Sequence, residues 1–330
     1  MQALLDRNIL LVTGKGGVGK STVAQVLARW AARRGQRVLL VEFEALSRAA
    51  AVYGKAEAPP DPELVDKNLW LVHLDAEHVL HSFAREQLKF EAAARMVMRN
   101  KTVRGFFLAM PAIKSVLFLY HLWRLETRHG PDGDGSYQLI VCDLPTSGFV
   151  IGMHAVPAML RQVFSVGPLA AYARGIEEMV FDRRRTGVVL VTLAEEMPTV
   201  ETLELGMALK DRFGIEPTAV IANSIYPEAM PPDDLAALAE MMTSLDAAAP
   251  TAAVGTEADA GVAGLMWAAH LLNDRHQRAR ALLPSLHEAF RDRLIELPHL
   301  FRRQLGQAGL DILVDAVEAS TGLSPAEHAQ

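Results

Sequence analysis

Cysteine is almost missing: the 330 residues hold one, Cys142. A single thiol excludes an intrachain disulfide, a thiolate zinc site and an iron–sulfur cluster ligated within one chain. An excess of positive charge is missing too. Lys and Arg number 33 against 39 Asp and Glu, giving a formal net charge of −6 and a pI near 6.0. That balance argues against a general nucleic-acid binder. There is no internal repeat and no low-complexity tract. No cleavable leader is expected, because "MQALLDRNILLV" runs straight into an apolar strand, and a cytoplasmic location is the expectation. Nor is there an uninterrupted apolar run long enough for a membrane. Gly105 to Trp123 comes nearest, but Pro111 and Lys114 break it and Arg124, Glu126 and Arg128 follow at once. Phe106, Met110, Ile113, Leu117 and Tyr120 fall at helical spacing, which predicts a helix burying most of its surface in a protein that is not itself transmembrane.

What the chain does have is "VTGKGGVGKST" at residues 12–22. Gly14, Gly19, Lys20 and Ser21 fill the phosphate-loop pattern G-x-x-x-x-G-K-[ST], with Lys15, Gly16, Gly17 and Val18 between. The apolar run Asn8 to Thr13 before it reads as a buried parallel strand. The stretch after it, with Val23, Leu27, Trp30 and Ala31 at helical spacing, reads as a helix ending at Gly35. Strand, glycine loop and helix start together make an anion cradle from backbone N–H groups and the positive end of the helix dipole. Lys20 is the expected ligand of the β- and γ-phosphates, and Ser21 offers a hydroxyl to Mg²⁺. The second half of such a site is an acid at the end of a strand. "LIVCDLPTSG" supplies Asp143, expected to hold Mg²⁺ beside Ser21. Lys15 is one lysine more than the cradle needs.

Further strands are predicted at 37–42, 68–74, 137–143, 187–193, 218–223 and 293–297, with helical patterns between them. The fold class is therefore α/β: a mainly parallel twisted sheet with helices on both faces. "APPDPEL" (58–64) and "HGPDGDGS" (129–136) read as turn-rich connectors. Two helical insertions, about 77–126 and 231–287, are too long for simple crossovers and are expected to meet as one subdomain of a single domain. Met96, Met98, Met110, Met241, Met242 and Met266 lie in them, and could line an adaptable groove for an apolar client or pack as core. His78 and His81 stand three apart with no third metal ligand in view. Arg183 to Arg185 form a basic run at a helix end.

Glycine, lysine, then "GGVGKST" resembles the deviant Walker loop of the Min/Par, nitrogenase iron-protein and ArsA-type ATPases. Within that P-loop NTPase superfamily the later segments are most similar to the ArsA and guided-entry ATPases. "YQLIVCDLPTSGFVIGMHAVP" is similar to their second switch segment, "GVVLVTLAEEMPTVETLELGMAL" to the segment after it, and "AVIANSIYP" and "LIELPHLFRRQLGQAGLDILVDAV" to their last strands and C-terminal helix. The resemblance implies a Mg-ATP-dependent ATPase switch that works as a homodimer or as a heterodimer with a related chain. ATP would close the dimer, and a client or membrane-associated protein would be the partner. It implies that Lys15 crosses to the nucleotide of the opposite subunit. It also implies that Thr22 belongs to the loop, that Asn223 reads the adenine edge, and that the backbone near Pro298 lines the base.

The chain departs from the family pattern in places. The acid that positions the attacking water is an aspartate in those families; here "VEFEALS" puts Glu44 in its place. One extra methylene predicts slow hydrolysis, since a displacement of about 1 Å can cost about 10²-fold. The zinc staple of the eukaryotic guided-entry dimers and the cysteine cluster of the arsenite pumps are both absent. Two other readings remain open at this point: a Min/Par-like positioning ATPase, and a nucleotide-binding pseudo-enzyme.

Overall fold

A computed structural model describes residues 2–43, 47–77, 79–80, 111–127, 137–163, 168–228, 257–302 and 304–321, with positions 231, 233–234, 236–237 and 240–241. At its centre is an eight-stranded sheet in the order β3-β4-β2-β5-β1-β6-β7-β8. The strands are β1 (Ile9–Gly14), β2 (Val38–Phe43), β3 (Glu63–Asp66), β4 (Leu69–Leu74), β5 (Leu139–Asp143), β6 (Thr186–Leu193), β7 (Ala219–Ile225) and β8 (Leu294–Pro298). All neighbours are parallel except β3 and β4. Seven strands stand where the sequence predicts them, within two residues. The eighth corrects a reading: Glu63 and Leu64 end no connector but open a short antiparallel edge strand.

The apolar runs of the strands follow from burial on both faces. In β1, Ile9 and Leu11 join the core on one side, while Leu10 and Val12 join the core on the other. The same alternation divides β2 and β5, where Ile140 and Cys142 face one way and Leu139 and Val141 the other. Helices α1 (Gln2–Leu5), α2 (Lys20–Arg33) and α3 (Ala49–Val52) belong to the second core. Helices α4 (Pro111–Thr127), α5 (Ser147–Val163), α6 (Pro168–Phe181), α7 (Glu196–Phe213) and α8 (Glu257–Phe290) contribute to the first, and α9 (Gly306–Thr321) returns to the second.

Most of the described part of the first insertion is α4, which packs on α5 and α6 and buries Leu117, Phe118, Leu119, Tyr120 and Leu122. Phe118 stacks at a tilt on Phe43, with ring centroids 4.6 Å apart, and edge-on to Phe149 at 5.8 Å. Among the described residues no helix is long and apolar enough to cross a membrane. In the second insertion, Ala279, Leu283, Leu286 and Phe290 of α8 are buried against the sheet. The C-terminal turns of that helix therefore serve as the β7–β8 crossover. Residues 81–110 and 242–256, which hold His81, Met96, Met98, Met110 and Met242, lie outside the described residues, as does His78. Met241 is exposed.

Candidate functional site

β1 delivers the glycine loop to the C-terminal edge of the sheet, between β5 and β6. Two glycines there have no substitute. A Cβ on Gly14 would strike the Val191 carbonyl oxygen of β6. Gly19 has φ +93°, and a Cβ on it would collide with Asn223 Nδ2. Gly19 is also the N-cap of α2 and provides no side-chain cap. The first amides of a 14-residue helix thus stay available to an anion in the loop. Space is open around Gly16 and Gly17.

Lys20 is buried at the start of α2, and its Nζ donates to the Lys15 carbonyl at 2.9 Å. Burial lowers its pKa; Asp143 opposes that and Arg48 adds to it. Asp143 ends β5, in register with Val12 of β1 and Glu42 of β2. Its Oδ1 is buried without a hydrogen bond. Burial pushes its carboxyl up to about 6, with the Ser21 hydroxyl beside it pulling down, Glu42 pushing up, and Lys20 and Arg48 pulling down. An orphaned, buried carboxylate oxygen next to a hydroxyl is an oxygen donor set that suits a hard divalent cation, so the residues fit Mg²⁺. Thr13 Oγ1 donates to the Thr146 carbonyl at 3.3 Å, tying the glycine-loop strand to the loop after Asp143.

On the other side, a cleft of ≈ 990 Å³ runs from the loop to the ends of β7 and β8. Gly17, Val18, Gly19, Thr22, Asn223 and Pro298 all line it, so six of the sequence-chosen residues meet there. Asn223 is buried, and its Nδ2 donates to the Val18 carbonyl at 2.9 Å. With Nδ2 held by the loop, Oδ1 is the atom left to meet an occupant of the cleft. Sequence reading missed Tyr226, His299 and Arg275 in the same wall. His299 stacks on Tyr226 at 4.2 Å, and Arg275 lies over the Tyr226 ring at 5.2 Å. The segments "ANSIYP" and "LPHLF" hold both aromatic rings, but no spacing rule pairs them.

Lys15 is not among the residues that line this cleft. Its Nζ meets Glu201 Oε1 of α7 at 2.5 Å, both side chains 36% exposed. Glu42 was also missed as a separate role. It accepts hydrogen bonds from Ser47 Oγ and from the amides of Arg48 and Ala49, so it caps α3. Glu44, two residues on, lies outside the described residues. Of the basic run, Arg183 donates to the Gly214 carbonyl and Arg185 pairs with Glu126 of α4 at 2.6 Å. Both are tertiary clips. Among the described residues no group of three His, Cys, Asp or Glu gathers as a metal cluster.

The sequence profile of the anion-transporting ATPase family, ArsA_ATPase, matches residues 7–171, which span the loop, Asp143 and α5. The "ATPase BagA" of Mycobacterium tuberculosis is 30% identical over 240 residues, 70% of this chain and 68% of that protein. A Halobacterium salinarum protein with the provisional name arsenical pump-driving ATPase is 26% identical over 234 residues, 68% of this chain and 36% of its own length. A second of that provisional name, from Aquifex aeolicus, is 23% identical over 248 residues, covering 65% and 79%. A glycine loop opening an uncapped helix, an acid at the neighbouring strand end and these relatives have one reading: the chain belongs to the anion-transporting ATPase family and is an ATPase by that membership.

Proposed function

We propose that the chain is a Mg-ATP-driven switch that works as a dimer in the cytoplasm. ATP closes two subunits, hydrolysis releases them, and the helical insertions pass the change to a client or partner protein. The observation that carries this reading is the junction at Gly19 to Ser21, where open helix amides, buried Lys20 and the unpaired Asp143 oxygen converge. Lys20 and the loop amides hold phosphate; Ser21 and Asp143 hold magnesium, which when bound neutralises phosphate charge. Glu44 orients the attacking water. Asn223 and the backbone at Pro298 face the base in the cleft.

Lys15 completes the site of the other subunit, and magnitudes favour its transfer. An ion pair about one-third exposed, such as Lys15–Glu201, is worth roughly 0.2–1 kcal/mol. A charge-assisted contact to phosphate is worth about 1.5–3 kcal/mol. The partner subunit is a second copy or a related ATPase chain. Sedimentation with Mg²⁺ and a non-hydrolysable ATP analogue tests the reading. The wild type should dimerise, and Lys15→Ala should bind the analogue with modest loss yet stay monomeric. A variant that dimerises like the wild type would make Lys15 an ordinary loop lysine.

A further inference from the structure

A second cavity, of ≈ 280 Å³, lies at the opposite edge of the sheet from the glycine loop. Thr186 opens β6, Thr218 precedes β7 and Arg293 precedes β8, so N-terminal strand ends build its wall. The six residues of β1, at about 3.3 Å each, put roughly 20 Å between the two places.

Two buried polar atoms of residues lining this cavity have no partner. His154 of α5 is 1% exposed, and its Nδ1 lies 2.7 Å from the Val150 carbonyl four residues back. That contact makes Nδ1 the protonated nitrogen and leaves a lone pair on Nε2, which is buried without a hydrogen bond. Burial also lowers the His154 pKa, so the ring is neutral at pH 7. Arg7 supplies the other atom: its Nε is a buried donor with no acceptor. One atom wants a proton and the other wants a negative oxygen. Buried groups of this kind are almost always paired, which makes the two together point to an occupant.

The surroundings suit an anion. Arg183 and Arg293 line the cavity with Arg7, against the carboxylates of Glu216 and Asp292. Arg293 spends one N–H on Glu216 at 2.7 Å and another on the Pro217 carbonyl at 3.4 Å, and Arg183 spends one on the Gly214 carbonyl, which leaves further donors on each fork. Phe181, Val188 and Ile215 give an apolar side. The volume sits at the low end for a ligand pocket, the scale of a molecule of a few carbons.

We infer that this cavity is a binding site for a small hydroxylated anion, a hydroxy acid or a phosphate monoester, whose oxyanion pairs with Arg7 and whose hydroxyl donates to His154 Nε2. The inference is independent of the dimer reading. Calorimetry tests it on the full chain, with the glycine loop loaded with Mg²⁺ and a non-hydrolysable ATP analogue to keep phosphate probes out of it. The probes are malate, succinate, which lacks the hydroxyl, and glycerol phosphate. Saturable binding is expected, with malate several-fold tighter than succinate. Arg7→Gln should weaken the bound probe about tenfold or more. His154→Phe keeps an aromatic ring against Phe181 and Phe213, which lie 5.9 and 5.5 Å away, and should erase the advantage of malate while the melting transition persists. Malate binding alone would name a carboxylate ligand, and glycerol phosphate binding alone, lost in Arg7→Gln, a phosphate one. No saturable binding of any probe to the wild type, or binding that survives both substitutions, overturns the site. The carboxylate probes do not need a loaded glycine loop, so failure of this site and failure of the nucleotide reading stay distinguishable.

Discussion

Lys15 Nζ lies 2.5 Å from Glu201 Oε1, so the lysine that follows the first loop glycine is tied to helix α7 of its own chain. If it has to leave that carboxylate to reach a facing nucleotide, Glu201 opposes dimer closure. Glu201→Gln keeps the shape and removes the charge. In a dimer of two copies it should raise the dimerisation constant with Mg²⁺ and a non-hydrolysable analogue by up to about 25-fold, about fivefold for each of the two surface pairs released. Weaker dimerisation in the variant would instead make the pair part of the closed form. Sedimentation equilibrium distinguishes the two.

Lys20 is buried with its ammonium on the Lys15 carbonyl, already inside the loop it serves. Lys20→Ala should remove a charge-assisted contact of about 1.5–3 kcal/mol, lowering ATP affinity roughly 10- to 150-fold by calorimetry. Unchanged affinity would remove the loop from the nucleotide site.

Asp143 sets a pH dependence. Its carboxyl is raised from 3.8 to about 6, chiefly by burial. The native state therefore holds a proton that the unfolded chain releases between those values. The penalty for burying the charge is full above about pH 6 and disappears as pH falls through 3.8, so this residue alone stabilises the fold on acidification. Cation binding runs the opposite way, because the metal competes with the proton. Magnesium titrations of the nucleotide complex should show an affinity that is level at neutral pH and declines below about pH 6. Asp143→Asn should bind magnesium weakly and lose that decline. A wild-type profile flat down to pH 5 would exclude Asp143 as a ligand.

Gly19 and Asn223 form a unit across 204 residues of chain, because the glycine leaves room for the amide that holds Val18. Gly19→Ala combines strain at φ +93° with a collision and should cost on the order of 1–3 kcal/mol or more in urea denaturation. Adding Asn223→Ala should return the part due to the collision and leave the strain. Strictly additive effects would show that the two side chains do not meet.

Much of the fold was legible because its strands are apolar runs buried on both faces, the strongest signal a parallel sheet gives. β3 was not. "ELVD" is four residues with both ends charged, after a proline-rich stretch, and its first two residues are exposed. Its place comes from pairing with β4, which is tertiary. The loop residues were legible as a local string, and Thr22, Asn223 and Pro298 do meet that loop in one cleft. The Lys15–Glu201 pair was not, since its members stand 186 positions apart and either could have faced water. The arginine-lined cavity was invisible for the same reason: its wall residues come from strand starts, helix ends and the loops between them, with no periodicity to join them.

Cys142 lies at the middle of the sheet, wholly buried on β5 between β1 and β2, and burial pushes its thiol pKa far up. No reagent can reach that sulfur while the central strands stay paired. The sole thiol is thus a natural clock for global opening. At high reagent concentration, its alkylation rate reports how often the whole sheet comes apart. A ligand that binds only the folded chain should slow that clock in proportion to its occupancy, without any engineered label.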